Sequence, residues 1–146
     1  MQLNTPGQFK TIDNKTEITV KQKIESLNQF MPSKTAEQRG GIMAIINKWD
    51  RYKRAWMKAL QILPRKKAIE GRVNVKITSK RIRLLDVENL YGGSKPIRDA
   101  LQTIGWLWND SPKWGTLEVV QERVKKGEEG TIIVLEFDND NNDSVK

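Results

Sequence analysis

Two acids one residue apart, Asp86 and Glu88, follow a run that mixes basic and apolar side chains, Arg81-Ile82-Arg83-Leu84-Leu85. If the chain stays extended there, alternate side chains share a face and both carboxylates point the same way. Such a pair repels, and each raises the other's pKa, unless a cation sits between them. That cation is a divalent metal or a basic side chain. Arg81 and Arg83 are at hand, so surface salt bridges are the plain alternative. A metal held by carboxylates without His or Cys is a hard one, Mg²⁺ or Mn²⁺. A further acid, Asp110, stands in the turn Asn109-Asp110-Ser111-Pro112. Between the acids, Tyr91-Gly92-Gly93-Ser94-Lys95-Pro96 leads into a helix start. Free backbone N–H groups there favour phosphate, and Lys95 adds a point charge. The spacing is not that of a Walker loop, and an ordinary capped helix start is the simpler reading.

Composition narrows the chemistry further. The chain has no histidine and no cysteine. This excludes Ser-His-Asp triads, His-based nucleases, thiol nucleophiles, zinc fingers and disulfides. What remains is carboxylate, Lys, Ser, Tyr or bound metal. The net charge is +8, and residues 138–146, at −2, leave +10 on the rest. A sequence pI near 9.8 favours a polyanionic partner, nucleic acid before an anionic membrane surface. No apolar run approaches the roughly 20 residues that span a bilayer. Residues 1–7 show no signal-peptide pattern, so the expected location is cytoplasmic.

The elements that must position these residues follow from periodicity. Residues 1–16 are polar and are expected to be flexible. An alternating pattern predicts a strand over 17–24. The stretch 26–41, with Pro32 and Gly40-Gly41, reads as a loop. Ile42, Ile45, Ile46, Trp49, Tyr52, Trp56, Ala59, Leu60 and Leu63 follow helical spacing, predicting a helix over 42–63 with Lys48, Arg51, Arg54 and Lys58 on its other face. The two tryptophans are expected in the core. A strand is predicted over 72–85. A helix over 94–104 takes Ser94 as N-cap, Pro96 in its first turn and Gly105 as its stop. Trp106-Leu107-Trp108 reads as a buried run. Strands over 116–124 and 131–137 are predicted to form a hairpin through Lys125–Gly130. Residues 138–146 read as a disordered acidic tail. The order of strands and helices predicts one α+β domain over 17–137, a mixed sheet with helices mainly on one face.

The run Asp86-Val87-Glu88-Asn89-Leu90, then Lys95, Asp99-Ala100-Leu101, Gly105 and Asn109-Asp110, resembles the RusA family of Holliday-junction resolvases. The family pattern is D-x-D-N-L, a lysine, a helix with D-A-L, a glycine and an acidic pair. The match is good over 81–111 and looser to Phe137, while Ser26-Leu27-Asn28 is similar to the family near its N-terminus. This chain differs in Glu88, in the extra Gly92-Gly93-Ser94 and in Asn109. The resemblance implies a RusA-like fold and a homodimer that resolves four-way DNA junctions by paired, Mg²⁺-dependent hydrolysis in DNA recombination and repair. It implies Asp86, Glu88 and Asp110 as metal ligands, Lys95 as the catalytic lysine facing phosphate, and Asn89 and Asp99 as supporting residues. Lys48, Arg51, Lys80, Arg81, Arg83, Arg98 and Lys113 are the expected DNA contacts. The alternative expectation is a non-catalytic or weakly active protein that binds branched DNA.

Overall fold

In a computed structural model, which describes residues 7–26, 34–109 and 111–138, strand β1 (Gln8–Ile12) turns through Asp13-Asn14 into β2 (Lys15–Val20). Helix α1 (Lys34–Ala59) runs into a 3-10 turn at Leu60–Ile62. Strand β3 (Val73–Arg81) is followed by helices α2 (Val87–Gly93) and α3 (Lys95–Ile104). A 3-10 turn at Pro112–Trp114 precedes β4 (Leu117–Arg123), and β5 (Gly130–Phe137) ends the sheet. The strand order is β1-β2-β5-β3-β4, with only β3 and β4 parallel. This is the expected α+β domain with a mixed sheet.

One face of the sheet carries Ile18, Val20, Val73, Val75, Ile77, Val119, Ile133 and Leu135, all buried. Against it lie Trp56 of α1, Leu60 of the 3-10 turn, Leu90 of α2, and Ile97, Ala100, Leu101 and Ile104 of α3. The helices therefore stack on this face, and α1 packs on α3. Trp56 is fully buried, as its spacing predicts, whereas Trp49 is half-buried.

The opposite face of the sheet is open, and its charges cancel in pairs. Lys10 stands opposite Glu17, Lys15 opposite Glu136, Lys76 opposite Glu118 and Lys80 opposite Glu122. Cross-strand partners of opposite sign attract, and Lys10 bridges Glu17 at 3.6 Å. This face contributes no net share to the positive excess, which is carried elsewhere on the molecule.

Several expectations of element and pairing change. The strand expected over 17–24 is Lys15–Val20. Gln8–Ile12 is a strand within the segment expected to be flexible, because β1 pairs along β2 and sets Phe9 edge-on to Trp106, ring centroids 6.4 Å apart. The long helix begins at Lys34 and passes through Gly40-Gly41. Two glycines cost a helix about 2 kcal/mol relative to alanine, which the rest of a 26-residue helix outweighs. β3 ends at Arg81, not Leu85. The predicted hairpin of the last two strands does not form, since β3 lies between them. The connection from Val124 to Glu129 passes the end of β3, and Val124 N–H donates to Arg81 O at 2.8 Å. β5 is apolar on both faces through Ile132-Ile133-Val134-Leu135, the pattern of a central strand. No helix among the described residues is long and apolar enough to cross a membrane.

Candidate active site

Joining the parallel strands β3 and β4 requires a crossover, and the candidate residues sit on it. After Arg81 the chain leaves the sheet and comes back beside β4. Gln121 of β4 fixes the return by accepting from Leu85 N–H at 2.9 Å and donating to Leu85 O at 2.7 Å. Asp86 follows directly.

Asp86 and Glu88 do not lie on an extended strand. Asp86 is the N-cap of α2, with φ −72° and ψ 163°, and Glu88 lies in the first turn. The Asp86 side chain accepts from Asn89 N–H, which is the bond that makes aspartate a strong cap. Two acids at a helix start also complement its dipole. Helix initiation thus replaces strand alternation as the reason for this spacing. Both carboxylates are exposed.

Asn89 holds Asp86 twice. Its backbone N–H donates to Oδ1 at 2.9 Å and its side-chain amide donates to Oδ2 at 3.0 Å. The carboxylate plane is thereby fixed. Each oxygen keeps acceptor capacity outside these bonds.

Gly92 and Gly93 belong to α2 and do not form an open phosphate loop. Gly93 is there because the chain after β2 crosses it: a Cβ would lie 1.9 Å from the Glu25 carbonyl oxygen. Ser94 is fully buried between the two helices. Its N–H and hydroxyl both donate to Tyr91 O, at 3.1 and 2.7 Å, and its carbonyl accepts from Ile97 N–H. Ser94 keeps the N-cap position, but its side chain makes no cap bond to α3. Lys95 opens α3 and bridges Asp99 at 3.3 Å, one helical turn on.

The basic residues divide. Arg81 turns inward, donating to the carbonyls of Ile24 and Arg83 rather than to Asp86 or Glu88, so it ties the segment after β2 to the crossover. Burial lowers its pKa from the ordinary arginine value, and Glu25 opposes that shift. Lys80 lies on the open sheet face, away from the helices, opposite Glu122. Arg98 is half-buried in α3. Arg83, Arg51 and Lys113 are exposed, and Lys48 is partly so.

Glu25 carries no sequence signal of its own. Its carboxylate acts on both Arg81 and Tyr52, whose hydroxyl is pushed above the usual tyrosine pKa, by burial first and Glu25 second. It stands in an irregular stretch between strand and helix, where no periodicity marks it. Among the described residues no three acidic side chains gather into a metal-holding group. Asp110, the third expected ligand, lies outside the described residues.

No protein-family model matches the chain, and a comparison with curated proteins finds no match.

Proposed function

We propose that the chain is a metal-dependent endodeoxyribonuclease acting on four-way DNA junctions in recombination and repair, in the cytoplasm. The observation that carries this reading is the double hold of Asn89 on Asp86. A cap needs one carboxylate oxygen. Fixing the second as well orients an exposed carboxylate, as a ligand to a hard cation requires. Exposed oxygen donors without His or Cys suit Mg²⁺, or Mn²⁺ in its place.

Asp86, Glu88 and Asp110 are the residues that would hold the ion. When bound it supplies an acidified water and charge neutralisation at the phosphate. The chain's own residues do the rest. Lys95, ion-paired with Asp99 at the start of α3, can exchange that partner for a phosphate oxygen. Asp99 then acts as the acid that holds Lys95 in place between encounters. The exposed basic side chains supply a salt-dependent grip on the backbone. A junction with approximate two-fold symmetry calls for two symmetric cuts, hence a C₂ homodimer with one site per subunit. The resemblance of Asp86-Val87-Glu88-Asn89-Leu90, Lys95 and Asp99-Ala100-Leu101 to the RusA pattern supports the same assignment.

A second reading has its own observation. Capping of α2 accounts for the Asp86 position without any metal. In that case the protein binds branched DNA and does not cut it.

Melting temperature separates the two. Under the nuclease reading, millimolar Mg²⁺ or Mn²⁺ raises it, and Asp86→Asn removes the rise while junction binding persists. An unchanged melting temperature across that range favours the binding protein.

A further inference from the structure

Trp106-Leu107-Trp108 reads in sequence as a unit to be buried together, yet its members part company. Trp106 and Leu107 enter the core, while Trp108 is 40% exposed. Trp108 lines a cleft of about 170 Å³ together with the segment from Lys66 to Val73. Ile69, 76% exposed, is among the lining residues. Two exposed apolar side chains thus line one cleft, which scattered surface hydrophobics do not do.

The slot is preformed. Lys66 N–H donates to Ile104 O at 3.0 Å, and Gly105, at φ +94°, brings α3 so close that a Cβ would lie 1.6 Å from Lys66 O. Trp106 Nε1 donates to Pro64 O at 2.7 Å. Trp108 meets Trp114 edge to face, centroids 6.3 Å apart. Arg72, which lines the cleft, donates to Lys113 O at 2.7 Å and so ties it to the turn that carries Trp114.

Charged side chains line the cleft and flank it. Among its lining residues, Lys66 places Nζ 4.0 Å from the Trp106 ring centroid, and Arg72 bridges Asp138 at 3.5 Å. Lys66 and Arg72 are exposed, as are Arg65 and Lys67 beside them in the chain and Lys113, whose Nζ lies 5.2 Å from the Trp114 ring. An exposed indole in a cleft, with exposed cations lining and flanking it, matches a base and its neighbouring phosphates. At this volume the slot is below the size of a drug-sized pocket and suits one planar group.

We infer that the cleft lined by Trp108 and Ile69 is a stacking site for a single unpaired nucleobase, with its flanking phosphates on Arg65, Lys67 and Lys113. This rests on the reading of the protein as a DNA binder and is independent of whether it cuts. Stacking is interrupted or strained at the crossover of a branched DNA, so a base is extruded there at lower cost than from a continuous duplex. The site therefore gives the protein a preference for branched or single-stranded DNA over duplex.

The test is equilibrium binding in chelator, where no metal-dependent cleavage intervenes. Probes are a short single-stranded oligodeoxynucleotide, the same strand with a run of abasic sites, and a linear duplex. The full chain should bind the base-bearing strand about tenfold more tightly than the abasic one, within the range of base–aromatic stacking. Trp108→Ala should abolish that difference and leave duplex affinity unchanged. Trp108→Phe should restore most of it, which separates stacking from misfolding. An oligoribonucleotide bound with the same Trp108 dependence keeps the site and makes RNA its source. Equal affinity of the full chain for base-bearing and abasic strands, or of Trp108→Ala and the full chain for the base-bearing one, overturns the inference. Loss of cleavage alone, with these affinities intact, bears on the nuclease reading and not on this site.

Discussion

Asn89 donates to both oxygens of Asp86, from its backbone to Oδ1 at 2.9 Å and from its side chain to Oδ2 at 3.0 Å. One residue thus joins the start of a helix to the orientation of an exposed carboxylate. Stability and function can be separated at this pair. Asp86→Asn keeps a good cap and should cost only a few tenths of a kcal/mol, whereas Asp86→Ala should cost about 1 kcal/mol. Both should lose metal-dependent cleavage. Denaturant unfolding, read beside a cleavage assay, checks this. An active Asp86→Ala would remove Asp86 from the site.

Gly93 is where the segment after β2 crosses α2. A methyl group there meets the Glu25 carbonyl and the Ile24 side chain, so Gly93→Ala should destabilise by about 1–3 kcal/mol, as overpacking does. Gly127 has φ +94° with open space around it, so Gly127→Ala should cost only the left-handed strain, about 1–2 kcal/mol. The comparison is made by thermal or denaturant unfolding of both variants. If Gly93 tolerates alanine without loss, the crossing is looser than described.

Under the DNA-binding reading, the Lys–Glu pairs of the open sheet face predict that DNA is held elsewhere. Replacing Lys48 and Arg51 by alanine should weaken junction binding and flatten the dependence of log K on log salt by about 0.9 for each phosphate no longer neutralised. Replacing Lys10 and Lys76, which face Glu17 and Glu118, should leave that slope unchanged. Titrations at several salt concentrations decide it, and equal effects from both pairs would move the DNA to the sheet face.

The connection from β4 to β5 carries a pH effect. Glu129 Oε1 accepts from Gly127 N–H at 2.7 Å, and backbone hydrogen bonds hold the carboxyl below its ordinary value, with Lys23 and Lys126 assisting. A depressed folded pKa means that the unfolded chain takes up the proton first. The contribution is therefore present above the unfolded value, near about 4.3, and is lost as pH falls through the lower folded value. Glu129 is partly exposed on a surface connection, so solvent screening keeps the effect local. NMR titration should place its pKa below the ordinary glutamate value, and the protection factors of amides at 125–130, taken relative to intrinsic exchange at each pH, should fall in acid. A Glu129 that titrates at the ordinary value would contradict the loop geometry.

Much of the fold is legible in the sequence because the covered face of the sheet imposes strong patterns. The alternation around Ile18, Val75 and Ile77 locates β2 and β3, and Ile97, Ala100, Leu101 and Ile104 locate α3. Edges are less legible. β1 is exposed along its whole length, so its alternation buries little and leaves a weak trace. The position of β5 is visible in its doubly apolar run, but short chain separation from β4 suggests a hairpin instead. At the site, the residue types are readable while the local geometry is not. Asp86-x-Glu88 fits strand alternation and helix capping equally well as spacing, and the bond from Asn89 decides for the cap. Arg81 reads as a DNA contact because charge says nothing of direction, and the sequence does not reveal that Nε and one Nη of its guanidinium donate to two carbonyls. Trp108 reads as buried because its neighbours are.

The most direct test is cleavage of a labelled four-way junction beside a matching linear duplex, with Mg²⁺, with chelator, and with Asp110→Asn. Paired symmetric nicks in the junction alone, absent in chelator and in the variant, are the predicted result. Tight junction binding with no metal-dependent cut would contradict the nuclease reading and leave a protein that recognises branched DNA.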